Sequence, residues 1–285
     1  MAYGMSGRVF HAPFISAHHG FELRAVVERH KKKAAHHYPA IISYDQTEDM
    51  LNDQEVELII INTPNNTHVE LAKLALQAGK HVLVEKPIAA TVAEVKQLYD
   101  LARRVNKYLM VYQNRRWDSD FLSVKQVIES GRLGELIEVH FRFDRYKAML
   151  SPKTFKETKS MAPNGLVYDL GPHLIDQAIS LFGRPLHFRK TTGKYREGSE
   201  VTDYFNYHLT YPNQLNVFLT SGLLIAEPLP SFVLHGTLGS YIKARVDVQE
   251  AQLDRGLSPT DPAYGIEPAG SEGKLVMMGL DNQKT

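Results

Sequence analysis

Lys86 stands two residues past the apolar run 81–84 (His-Val-Leu-Val), inside the tripeptide Glu85-Lys86-Pro87. A short apolar run reads as a strand of a buried parallel sheet, and such sheets bind ligands beyond the carboxyl ends of their strands. A lysine at that place can donate to a substrate oxygen and stabilise developing alkoxide charge. Desolvated, it can also serve as a base, because burial disfavours its charged form. Pro87 fixes its own φ and biases Lys86 toward extended backbone. Taken alone, the tripeptide is equally what a surface turn looks like.

Asp169 and His173 form a second pair, within Tyr168-Asp169-Leu170-Gly171-Pro172-His173. Pro172 suits the first turn of a helix, where its missing N–H costs nothing. Residues four apart share a side of a helix, and a carboxylate beside an imidazole orients the ring and stabilises its charged form. That is an acid/base pair. The alternative is that Asp169 caps the helix and His173 is a satisfied polar residue at its start.

The third cluster opens the chain: Ala2-Tyr3-Gly4-Met5-Ser6-Gly7 has the spacing of a dinucleotide loop, with Ala at the first glycine position. Gly4 lets the backbone approach a pyrophosphate, and Gly7 lets the following helix pack on the sheet. About 20 residues later a strand-like run ends in Glu28, the place of an acid that takes the ribose hydroxyls. Arg29 follows it, and a cation there can accept a 2′-phosphate. The cofactor is therefore NAD or NADP, with a lean to NADP. Asn62, Thr63, Pro64 and Glu85 lie at neighbouring strand ends and line the same crevice. The apolar strand that precedes such a loop is missing, and the chain is expected to be clipped at this end and at its C-terminus.

These side chains need elements to carry them. Runs at 23–27, 58–61, 81–84 and 109–112 read as strands. Between them, apolar residues at helical spacing over 67–78, closed by Gly79, and a Thr91/Glu94 capping box mark helices. This β-α-β-α-β rhythm predicts a Rossmann-like, doubly wound parallel sheet. Downstream the pattern changes. Residues 136–144 alternate apolar and polar, as do 204–210, and 215–219, 231–235 and 240–244 are further short strands. Helical periodicity is confined to 119–130 and 170–182. This second half is an α+β domain on an open, mainly antiparallel sheet. The predicted domains are 1–114 for the dinucleotide and 115–285 for substrate and self-association.

The chain of 285 residues carries a net charge of +1, with 43% hydrophobic and 23% charged residues. Two domains fit this length, and nothing in the charge suggests a nucleic-acid footprint. No stretch approaches the ~20 apolar residues of a membrane span. No cleavable signal pattern opens the chain, so the cytoplasm is expected. The absence of cysteine removes disulfide and thiol chemistry. His18-His19 and His36-His37 lack a third ligand at metal spacing, so no metal is expected. Tyr146 follows a strand end and could reach a substrate, or could lie in a solvated loop.

Together the motifs resemble the glucose–fructose oxidoreductase / inositol dehydrogenase / rhizopine catabolism (Gfo/Idh/MocA) family. The carriers are Gly4-x-x-Gly7 with Phe10-His11-x-Pro13, Thr63-Pro64-Asn65 with His68, Glu85-Lys86-Pro87, Asn114-Arg115-Arg116, and Asp169-x-Gly171-x-His173. Among its branches the chain looks most like the bacterial NADP-dependent scyllo-inositol dehydrogenases. The resemblance implies hydride transfer between a nicotinamide and a secondary hydroxyl or ketone of a sugar, inositol or related polyol. It implies Lys86, Asp169 and His173 as the catalytic set, converging in an interdomain cleft. It adds Met5, Ser6, His68, Lys86, Asn114 and Arg115 to the cofactor side, and places Arg115 and Tyr146 with Lys86, Asp169 and His173 on the substrate side. His173 is the first choice of base and Lys86 the second. A homodimer or homotetramer through the C-terminal sheet is expected. The competing reading is a catalytically silent dinucleotide sensor or interaction protein on the same fold.

Overall fold

The computed structural model describes residues 2–152, 157–158, 163–279 and 283–284. The chain divides into two compact units, Met1–Tyr112 with Gln249–Tyr264, and Gln113–Val248 with Gly265–Thr285. The sequence reading assigned everything after 114 to the second domain. Within the described fold, 249–264 packs with the first unit, where Arg8 pairs with Asp254 at 3.2 Å and Phe14 meets the Tyr264 ring edge-on.

The first unit begins with a π-helical turn Gly7–His11 that runs into helix α1 (Ala12–Ala17). Strands β1 (Ala25–Val27) and β2 (Ile42–Tyr44) pair in parallel, and the short helix α2 (Thr47–Asn52) follows. Strand β3 (Leu58–Ile61), helix α3 (His68–Gln77), strand β4 (His81–Glu85), helix α4 (Val92–Arg104) and strand β5 (Leu109–Tyr112) complete the alternation. Strands β3, β4 and β5 form a parallel sheet in that order.

Ile59, Ile61, Val82 and Val84 point inward against Leu76 and Leu98, and Ala25 and Val27 of the other sheet pack on the same cluster. The caps read from sequence form: Glu94 N–H donates to Thr91 Oγ1 at 3.2 Å, and Thr91 N–H to the Glu94 carboxylate at 2.9 Å. Gly79 stops α3 at φ +74°. Ala2 makes a single parallel bridge to Val27, and the side chain of Asn62 both accepts from its N–H (2.9 Å) and donates to its carbonyl (2.8 Å).

The second unit contains helix α5 (Ser119–Glu129), strand β6 (Leu136–Arg142), the single turn α6 (Leu166–Asp169) and helix α7 (Gly171–Phe182). Strands β7 (His187–Gly193), β8 (Tyr204–Thr210), β9 (Asn216–Gly222), β10 (Phe232–Gly236) and β11 (Gly239–Lys243) follow. Helix α8 (Val248–Asp254) crosses back to the first unit, and β12 (Lys274–Met277) closes the sheet.

The seven strands run in the order β12-β11-β10-β6-β9-β8-β7, antiparallel except for the parallel pair β6–β9. Alternation in β6 buries Val139 and Phe141 under α5 and α7, together with Phe121, Leu174 and Phe205. The other face carries polar and aromatic side chains, where the Phe218 ring stacks with His140 (4.8 Å) and His208 (4.5 Å). Trp117 is exposed.

Candidate active site

In the first unit the Gly4–Gly7 loop stands beside the carboxyl end of β4. A Cβ on Gly7 would lie 2.2 Å from the Ala2 carbonyl oxygen and 2.8 Å from Asn62 Nδ2, so only glycine fits. A Cβ on Gly4 would meet nothing within 4 Å, which leaves that backbone open to a ligand. Met5 is exposed. The helical turn that starts here offers its free amide groups, the usual seat of a phosphate. Ser6 turns the other way and donates its hydroxyl to Glu85 Oε1 at 2.6 Å. A glycine cradle feeding a helix start fits a dinucleotide pyrophosphate.

Glu85 ends β4, and Lys86 is the next residue. His11, itself buried, places Nε2 2.9 Å from the same Glu85 oxygen. Burial pushes the Glu85 carboxyl up. The hydrogen bond and charge of His11, the Ser6 hydroxyl and the ammonium of Lys86 outweigh it and hold the group below the usual carboxylate range. The Lys86–Pro87 bond is cis. His68 is fully buried, with Nδ1 2.8 Å from the Pro87 carbonyl oxygen and Nε2 2.9 Å from that of Thr63. It therefore joins the turn after β3 (Asn62, Thr63, Pro64) to the turn that presents Lys86. Both of its ring nitrogens face main-chain carbonyls, so the His68 side chain serves the two turns that border the expected cofactor site.

Glu28 is buried, and its carboxylate accepts from the N–H groups of Lys33 (2.9 Å) and Ala34 (3.3 Å) and from the Ser43 hydroxyl (3.0 Å). A carboxylate bonded this way holds the loop after β1. The loop it holds presents Arg29, His30, Lys31, Lys32 and Lys33, all exposed.

In the second unit Asp169 ends α6 and is exposed, while His173 lies buried in the first turn of α7, one residue after Pro172. Gly165 starts this segment at φ +87°, where a Cβ would press on Val201 and Thr202 at 3.0–3.1 Å. Farther along α7, Asp176 accepts two hydrogen bonds from Arg116 (2.6 and 2.7 Å), and Gln177 Nε2 donates to the Arg115 carbonyl at 3.0 Å. The helix that carries His173 is thus pinned to the 3₁₀ turn Asn114–Trp117.

Arg115 was expected to reach cofactor or substrate. It is instead buried, with Nη1 on Asp247 Oδ1 at 2.6 Å and Asp118 Oδ2 at 3.2 Å. Burial pushes the Asp118 carboxyl up to about 7, and repulsion from Asp120 and Asp247 adds to it, against the attraction of Arg115 and Arg245. Tyr146 is exposed and forms an isolated bridge to Leu224.

Sequence reasoning gave no role to His11, Gln177 or Asp247. The only signal for His11 was its place in Phe10-His11-x-Pro13, directly after the glycine loop. Among the described residues, no group of three or more His, Asp or Glu is placed to hold a metal, and no helix is long and apolar enough to cross a membrane.

The likeness to known proteins covers the same elements. Residues 2–113 match the oxidoreductase family with an NAD-binding Rossmann fold, and residues 121–242 match the Gfo/Idh/MocA C-terminal domain. The uncharacterized oxidoreductase C115.03 of Schizosaccharomyces pombe is 41% identical, over 98% of this chain and 78% of its own length. The scyllo-inositol 2-dehydrogenase (NADP(+)) IolW of Bacillus subtilis is 33% identical over 100% of this chain and 79% of its own. A crystal structure of an oxidoreductase from Bacteroides fragilis superposes with a TM-score of 0.89 at 42% identity, over 100% of this chain and 81% of that one. With both of its halves matched, and with Rossmann and seven-stranded units of the kind those halves form, the chain belongs to the Gfo/Idh/MocA family and is an oxidoreductase with an NAD-binding Rossmann domain.

Proposed function

We propose that the chain is an NADP-preferring dehydrogenase or reductase of a polyol, oxidising or reducing one secondary carbinol of an inositol, sugar or related compound. The observation that carries this is the position of Lys86. It directly follows the carboxylate that is bonded to the glycine loop, so one short stretch ties dinucleotide cradle to ammonium. The dinucleotide supplies hydride chemistry at its nicotinamide.

The protein's residues bind, orient and move the proton. Lys86 donates to the carbinol oxygen and stabilises alkoxide charge. His173 takes the hydroxyl proton, with Asp169, four residues before it, steadying the charged ring. Asn62, Thr63 and Pro64 border the dinucleotide at the neighbouring strand end, and Asn114 lies in the turn after β5. The same reading places Tyr146 near the substrate. The NADP preference rests on the inward turn of Glu28 and the exposed basic run 29–33, which suits a 2′-phosphate better than a ribose diol. The NADP-dependent scyllo-inositol relative points the same way. Self-association as a dimer or tetramer uses the outer face of the seven-stranded sheet around Phe218, and sedimentation velocity that gives a monomer would refute it.

The activity is tested by offering scyllo- and myo-inositol, aldohexoses and sugar acids, with NADP and NAD separately. Reduction of NADP by at least one cyclitol or sugar is expected. No turnover of any of these with either cofactor contradicts the reading.

A further inference from the structure

His11 lies at the end of the turn that follows the glycine loop, and the function described so far makes no use of it. Its side chain is 5% exposed. Its ring packs on Tyr112 of the neighbouring strand, centroids 4.3 Å apart, and the Tyr112 hydroxyl donates to the Phe10 carbonyl at 2.7 Å. This fixes both the ring and the backbone that bears it. An ionised carboxylate only accepts hydrogen bonds, so the 2.9 Å contact to Glu85 Oε1 requires the proton on Nε2. Ser6 donates to the same oxygen at 2.6 Å. A single carboxylate oxygen therefore receives one donor from the dinucleotide loop and one from the helix behind it, and its own backbone leads straight into Lys86.

We infer that His11 is a positioning residue of the oxidoreductase site: its Nε2–H holds the Glu85 carboxylate on Ser6, and so couples the loop that cradles the cofactor to the backbone that delivers Lys86. This rests on the reading of Lys86 as the group that meets the substrate oxygen. Among the described residues, the groups that act on the Glu85 carboxylate are His11, the Ser6 hydroxyl and the Lys86 ammonium, and Tyr112 is its neighbour in register on β5. Lose the His11 donor, and the carboxylate has less reason to stay ionised or to stay on Ser6. Loop and lysine then move independently, and displacement of a reacting group by about 1 Å can cost up to about 100-fold in rate.

Two substitutions separate the hydrogen bond from the packing. His11→Phe keeps a ring against Tyr112 and removes the donor. His11→Gln carries an amide N–H at the reach of Nε2. The holoprotein is assayed for kcat, KM and their pH dependence with NADP and scyllo-inositol. In parallel, calorimetry gives the NADP dissociation constant, and carboxyl ¹³C NMR follows the titration of Glu85.

His11→Phe is expected to lower kcat about 10- to 100-fold with a smaller change in KM, to weaken NADP binding, and to raise the pH at which Glu85 titrates. His11→Gln is expected to recover most of each. Unchanged kcat, NADP affinity and Glu85 titration in His11→Phe overturn the inference, as does failure of His11→Gln to recover any of them while its melting temperature matches wild type. If the wild-type protein turns over none of the polyols, the functional reading fails by itself. NADP affinity and Glu85 titration in the two variants still decide the role of His11.

Discussion

The Nδ1 atom of His68 lies 2.8 Å from the carbonyl oxygen of Pro87, while its other ring nitrogen lies 2.9 Å from that of Thr63. Two turns at the carboxyl ends of β3 and β4 are held by one fully buried ring. Replacing His68 with leucine removes both contacts and costs about 1–3 kcal/mol for a buried carbonyl that loses its donor. His68→Leu should lower the melting temperature by several degrees and reduce turnover more than dinucleotide affinity. A variant with wild-type stability and kcat would show that the bracket positions nothing.

Gly4 and Gly7 should answer the same substitution in opposite ways. A Cβ on Gly7 collides with the Ala2 carbonyl at 2.2 Å, and one on Gly4 enters open space. Gly7→Ala is expected to destabilise the folded protein. Gly4→Ala should leave the melting temperature near wild type and weaken dinucleotide binding about tenfold or more, as a methyl group intrudes where the pyrophosphate approaches. Equal thermal shifts in the two would contradict this assignment.

The proposed NADP preference rests on the basic run after β1. Arg29→Ala should lower the NADP:NAD preference about 10- to 100-fold, the scale of a hydrogen bond to a charged group. Glu28→Gln should leave the ratio close to wild type while loosening the loop. Both ratios follow from kcat/KM with each dinucleotide. A ratio unmoved by Arg29→Ala and moved by Glu28→Gln would restore the ribose role to Glu28.

The buried Asp118 predicts a pH dependence of stability. Burial, with Asp120 and Asp247 nearby, raises its carboxyl to about 7 against the attraction of Arg115 and Arg245. The native state binds this proton more tightly than the unfolded chain does. Its stability contribution is thus complete below the ordinary carboxylate range and is lost as pH rises toward about 7. Asp118→Asn keeps a neutral acceptor for Arg115. It should be more stable than wild type at pH 8, by at most about 4 kcal/mol, and nearly equal near pH 4. A melting-temperature difference that does not change between these pH values would refute the shift.

The sequence was most legible where local pattern and burial agree. Leu58–Ile61 and His81–Glu85 are short, mainly apolar runs whose alternate residues are buried and the rest half-buried, and Thr91/Glu94 and Gly79 cap their helices by local chemistry. β7 (His187–Gly193) escaped notice because it is an edge strand, nearly all exposed, with no face to impose alternation. β2 and α2 are too short for a period to register.

The site divided along the same line. The order of Glu85, Lys86, Asp169 and His173 is written in local motifs. The inward turn of Glu28 depends on the Lys33 and Ala34 amides and on Ser43, which comes 15 residues later. The burial of Arg115 depends on Asp247, 132 residues away. Contacts of that range leave no spacing to read.

The central claim is that Lys86 meets the substrate oxygen while the cofactor is held by other residues. Lys86→Met removes the ammonium and keeps most of the side chain's volume. Single-turnover hydride transfer in this variant, measured with NADP at saturating scyllo-inositol or whichever polyol the wild type turns over, tests that division directly. The account predicts a loss of about 10²–10⁴-fold in the rate, with the NADP dissociation constant changed less than about threefold. A Lys86→Met protein that transfers hydride at the wild-type rate, or that loses NADP binding in proportion to its rate, would contradict it.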